Sequence, residues 1–77
     1  MINEHERVVL TNPVPAEGLE PGDVGTVVHA YADGRAYEVE FLTLNGQTVG
    51  VVTLEASQVR PVAAREITHA RALAAVP

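Results

Sequence analysis

Residues 33–42 read DGRAYEVEFL, and the alternation inside them decides the fold: Tyr37, Val39 and Phe41 fall on one face, Glu38 and Glu40 on the other. A period of two apolar and polar residues is the signature of a strand, buried on one side and wet on the other, as antiparallel sheets allow. Turn signals stand on both sides, Asp33-Gly34 before and Asn45-Gly46 after. Each dipeptide accepts the positive φ of a tight hairpin, so this strand sits in the middle of a meander with its neighbours folded back on it.

Working outward, Val24-Gly25-Thr26-Val27-Val28-His29-Ala30-Tyr31 precedes the first turn and Gln47-Thr48-Val49-Gly50-Val51-Val52-Thr53-Leu54 follows the second. Both carry valine on each face, which leaves their register open. Upstream, Arg7-Val8-Val9-Leu10-Thr11 is a further β-branched run ending at Asn12-Pro13. Pro13, Pro15, Gly18, Pro21 and Gly22 then crowd ten residues, which makes a long irregular loop and excludes a helix there. Downstream, Glu55-Ala56-Ser57 has room for one helical turn, with Ser57 as a cap, before Gln58-Val59-Arg60 and the closing Pro61.

About five short antiparallel strands, a long first loop, two hairpins and a helical turn before the last strand are the layout of an all-β fold, a small SH3-like barrel. Its expected core is Val8, Leu10, Val24, Val27, Tyr37, Val39, Phe41, Val51 and Val59. Gly25, inside a strand, marks a bulge or a bend where so small a barrel must curl.

The barrel occupies residues 1–62, and residues 63–77 form a C-terminal tail. The tail is alanine-rich, with Ile67, Ala70, Leu73 and Ala74 in one stripe at helical spacing, so a helix over 63–75, docked on the barrel or on a partner, is the favoured form. An extra strand is the alternative, because Ile67, His69, Arg71 and Leu73 also alternate.

Composition narrows the functions. Ten acidic residues stand against five arginines, for a net charge of -5, the wrong sign for a general nucleic-acid or anionic-membrane binder. The charge is uneven: residues 1–59 hold nine acids and two arginines, net -7, whereas residues 60–77 hold three arginines and one glutamate, net +2. With no cysteine there are no disulfides, thiolate metal sites or thiol nucleophiles, and a reducing cytoplasm is the expected location. No apolar run approaches a membrane span, and the acidic start MINEHERVVL does not read as a signal peptide.

The stretches RVVLTNPVPAEGLEPGDVGTVVHAY, DGRAYEVEF, TLNGQTVGVVTLEASQVRPV and EITHARAL together make residues 3–73 resemble a small bacterial family known as domain of unknown function 4926. The resemblance implies a compact SH3-like barrel, encoded beside larger genes of which some resemble toxin-type proteins, and it brings no catalytic residues. Gly22-Asp23-Val24-Gly25-Thr26-Val27 is also similar to the glycine-bearing turn of KOW modules, although lysine and arginine usually surround that turn and here Glu17, Glu20 and Asp23 do.

No catalytic constellation assembles from the sequence. His5, His29 and His69 lack ligand spacing for a metal, Ser57 has no evident base, and Glu38 with Glu40 reads as a solvated strand face. No cofactor is implied. The leading expectation is therefore a non-catalytic protein-interaction module, an acidic barrel for a specific protein partner, of the immunity or antitoxin type if the gene context holds. The expected contact surface is the proline loop and the first hairpin: Pro13, Pro15, Glu17, Glu20, Tyr31, Asp33, Glu38 and Glu40. The alternative is a KOW-like nucleic-acid binder using Arg35, Arg60, Arg65 and Arg71 as a local patch. The chain is expected to be a monomer, or a homodimer joined through the tail.

Overall fold

A computed structural model describes residues 2–73. Five strands form one antiparallel sheet: β1 (Arg7–Leu10), β2 (Val24–Ala30), β3 (Ala36–Leu42), β4 (Thr48–Glu55) and β5 (Val59–Pro61). The order is β4-β3-β2-β1-β5, so the last strand returns to pair with the first. A 3-10 turn at Ala56–Gln58 makes that return. The connections and order are those of a small SH3-like barrel.

The predicted central strand is β3, with Tyr37, Val39 and Phe41 buried as its alternation requires. They join Val8, Leu10, Val27, Leu54 and Val59, with Ile2 and Leu19 reaching in from outside the strands, to form the core. Two expected members are out: Val24 is 43% and Val51 52% exposed. The register explains Val51, because Tyr37 faces Leu54, Val39 faces Val52 and Phe41 faces Gly50, which puts the other phase of β4 inward. On β2 the inward phase belongs to Gly25 and Val27, so Val24 points out.

Gly25 is not the bulge the sequence suggested. The ladder with β1 runs evenly through it, Val8 facing Gly25, and the register shift of β2 lies between Val27 and His29. What position 25 provides is room. A Cβ there would stand 2.5 Å from Val39 Cγ1 and 3.0 Å from both the Glu40 carbonyl and Phe41 Cε2.

The hairpins also differ from the two-residue form. Gly34 N–H donates to the Tyr31 carbonyl and Gly46 N–H to that of Thr43. Only the glycines of the two dipeptides have positive φ, 70° for Gly34 and 91° for Gly46. Each glycine is thus the last residue of a four-residue turn, the geometry of a slightly longer hairpin. In the 3-10 turn, Gln58 rather than Ser57 caps: its Oε1 accepts the Glu55 N–H at 2.8 Å.

The tail helix does not form in the described residues. Residues 62–73 contain one turn, at Ala64 and Arg65, and neither helix nor added strand. Ala74 and Ala75, the end of the expected helix, lie outside the described residues. A helix of this length needs a docked apolar face, yet Ile67 is 91% exposed. Two of the tail's charged residues are engaged elsewhere, Glu66 by Arg60 and Arg71 by the first loop.

The role of Gly25 is testable against Gly50, where a Cβ would meet nothing within 4 Å. Gly25→Ala is expected to lower the unfolding free energy by about 1–3 kcal/mol, as overpacking does. Gly50→Ala should change it by no more than about 1 kcal/mol. Urea denaturation of the two variants measures both.

Candidate functional site

The loop between β1 and β2 folds back on itself because its backbone groups find partners. Val14 and Leu19 form a two-way bridge around a 3-10 turn at Pro15–Glu17, and Gly18 (φ 68°) reverses the chain. Leu19 is buried in the core. The far end is tied to β1: Gly22 N–H donates to the Leu10 carbonyl at 2.8 Å, and Leu10 N–H to that of Asp23 at 2.9 Å. The loop that the prolines advertise is a fixed structure.

Beside its second half lies a groove of about 350 Å³. Leu19 and Phe41 contribute to its floor, Val24, Leu42 and Leu44 to its rim, and Thr68, His69, Ala70, Arg71 and Leu73 of the tail to its far wall. Antiparallel pairing of β2 and β3 puts it there, since Thr26 faces Glu40 and the start of β2 must meet the end of β3. Leu44, at the β3–β4 turn, is 81% exposed. A smaller cavity of about 180 Å³ opens between β1 and the tail, against Val9, Val62 and Ile67.

Arg71 closes the groove against the loop. Its Nε donates to Asp23 Oδ1 at 2.8 Å and its Nη2 to Oδ2 at 2.5 Å, a bidentate grip. Nη2 also reaches the Gly18 carbonyl at 3.0 Å, and Nη1 lies 3.1 Å from Glu20 Oε2. The Asp23 carboxylate is held ready by the Glu20 N–H, 2.8 Å from Oδ2. The Arg71 guanidinium accordingly holds the Asp23 carboxyl below its ordinary value, against the opposing effect of burial.

A second anchor sits nearer the barrel. Arg60 grips Glu66 with Nη1 at 2.8 Å and Nη2 at 2.6 Å, and Ala63 N–H donates to Glu66 Oε1 at 2.6 Å. These contacts, the guanidinium first, pull the Glu66 carboxyl down to about 2.

The other sequence candidates spread over the barrel. Tyr31 and Glu38 do meet: the Tyr31 hydroxyl donates to Glu38 Oε2 at 2.6 Å, and Thr53 Oγ1 to both carboxylate oxygens. The hydroxyls lower the Glu38 carboxyl, and the carboxylate in turn raises the Tyr31 phenol. The His29 ring stands edge-on to Tyr31 at 4.8 Å, with Nδ1 3.4 Å from Glu4. Asp33 braces its own hairpin, accepting the Arg35 N–H and pairing with its guanidinium. Glu40 accepts the Thr48 hydroxyl. Pro13, Pro15 and Glu17 lie exposed on the loop. Between that loop and the first hairpin stands the 3-10 turn at Ala56–Gln58, which binds Thr11 on one side and Arg35 on the other.

Of the four arginines read as a patch, Arg35, Arg60 and Arg71 are each in an ion pair, at separate places. None of the eight residues expected to bind a partner lines the large groove. Leu42 and Leu44 lie outside the contact surface expected from the sequence. An exposed leucine beside Asn-Gly was the available signal.

The fold and groove define an acidic SH3-like barrel with an apolar groove and a tail latched across one end. The family model "Domain of unknown function (DUF4926)" matches residues 4–61, and the chain belongs to that family. The match stops at Pro61, so the latched tail lies beyond it. Comparison with curated proteins and with solved structures finds no match.

The second anchor gives a pH test. A carboxyl whose folded pKa lies below its ordinary 4.5 stabilises the tail fully above that value and loses its effect as pH falls toward about 2. The Ala63 amide shift, followed by NMR, should titrate with a midpoint near 2, and Glu66→Gln should abolish the titration. A midpoint at the ordinary value would show that the tail turn is open in solution.

Proposed function

We propose that this barrel is a non-catalytic protein-interaction module that binds a specific protein partner through the groove beside its first loop. The observation that carries the reading is the apolar rim. Val24, Leu42 and Leu44 are exposed around an indentation whose floor continues into the core. Apolar surface of this kind, framed by polar residues, is the usual mark of a docking site. The acidic body, net -7 over residues 1–59, favours a partner with a basic surface and speeds its approach.

A toxin-type protein with a basic, nucleic-acid-facing site is the partner class that fits such a surface, which makes this chain an immunity or antitoxin-type subunit. Its cysteine-free sequence suits a reducing bacterial cytoplasm.

Leu44→Asp is the test, since an 81% exposed side chain can be changed with little effect on folding. A tagged chain purified from its native host is expected to bring down one partner in stoichiometric amount. Leu44→Asp should reduce that recovery at least tenfold, whereas Asp33→Asn, on the opposite hairpin, should leave it unchanged. Equal recovery by wild type and Leu44→Asp would remove the groove from the interface.

A further inference from the structure

The Arg71 clasp shows what chemistry the groove accepts. Asp23, the Gly18 carbonyl and Glu20 converge on a single guanidinium, and Asp23 and Arg71 are the well-covered pair, with side chains 18% and 27% exposed. The receiving half is built without the tail. Asp23 is oriented by the Glu20 N–H, and the loop that carries it is pinned to β1 by two backbone hydrogen bonds. Next to the guanidinium Leu73, two residues on, lines the same groove.

The occupying half is held lightly. Every residue of 62–73 is exposed, and among the described residues the tail from 63 on makes one backbone hydrogen bond, from Glu66 N–H to Ala63 within the tail itself. Attachment therefore rests on two side-chain pairs: Arg60–Glu66, 43% and 35% exposed, which contributes little, and the bidentate, better covered Arg71–Asp23. What keeps the tail in place is its tether, which gives it an effective concentration in the millimolar range.

We infer that the Asp23 receptor and the adjoining groove are a binding site for a non-helical partner segment carrying an arginine and, two residues later, a leucine-sized apolar residue, and that the tail is a tethered competitor for it. This rests on the groove being the partner-binding surface. A partner that supplies more apolar contact than Leu73 displaces the tail, and the acidic body favours the basic residue it brings. The tail thereby sets a threshold: ligands weaker than the tethered arginine do not bind.

The probe is a fluorescein-labelled peptide of the tail sequence ITHARAL, residues 67–73, titrated into the full-length chain. Arg71→Ala removes the competitor and is expected to bind the peptide at least tenfold more tightly than wild type. The same peptide with alanine in place of its arginine should not bind. Asp23→Asn, which keeps an oxygen for the Glu20 N–H, should abolish binding in both backgrounds. Equal affinity of wild type and Arg71→Ala would overturn the inference.

Should Arg71→Ala fold poorly, excess unlabelled peptide added to ¹⁵N-labelled wild type provides a second reading. The Arg71 Nε–Hε signal moves to its free position if the tail is displaced, and a signal that stays put overturns the inference. A wild-type dimer that forms with concentration and is lost in Asp23→Asn would instead give the site to a second copy. Partner recovery that needs Leu44 but tolerates Asp23→Asn sinks this inference and leaves the groove as the docking surface.

Discussion

The two central strands of this barrel close on each other only because residue 25 has no side chain. Val39 and Phe41 of β3 fill the space where a Cβ would stand, at 2.5 and 3.0 Å from its position. That contact lets one face of β3 reach the centre of a core of about ten side chains. With so few buried groups, the loss of one close approach cannot be spread over a larger interior. Everything outside follows: the end of β3 comes to rest beside the start of β2, and the groove opens where their last inward residues run out.

The barrel was legible wherever one face was unmistakable. Tyr37, Val39 and Phe41 against Glu38 and Glu40 leave a single register, and the strand falls where alternation puts it. Val24 and Val51 were misplaced because their strands carry valine on both faces, and local sequence cannot choose between phases that a neighbour's register decides. The glycine at 25 was visible as an anomaly. Its cause was not, since the atoms that exclude a side chain belong to residues 14 to 16 positions further along the chain.

The site was less legible than the fold. Prolines drew attention to the long loop, whose second half borders the groove, and tyrosines to the first hairpin, where Tyr31 and Glu38 do interact. The groove lies at the end of the barrel away from that hairpin, assembled from the tail, a loop and a hairpin distant in sequence. The tail misled because alanine propensity and a helical stripe describe an isolated segment. Here the acid and the arginine within it bind groups 6 and 48 residues away, and no apolar surface covers Ile67 to repay helix formation.

The polar attachment of the tail means that its hold and the barrel's fold respond to different variables. Barrel cohesion comes from buried apolar area, which moderate salt barely changes, while ion pairs at the surface weaken as salt rises. Ionic strength thus acts on the latch and leaves the domain beneath it intact. The family match ends before the latch begins, and among the described residues Glu66 and Arg71 connect the tail to the rest by side-chain ion pairs. Substituting those two residues would remove the ion pairs that hold the described tail and leave the buried apolar core of the barrel untouched.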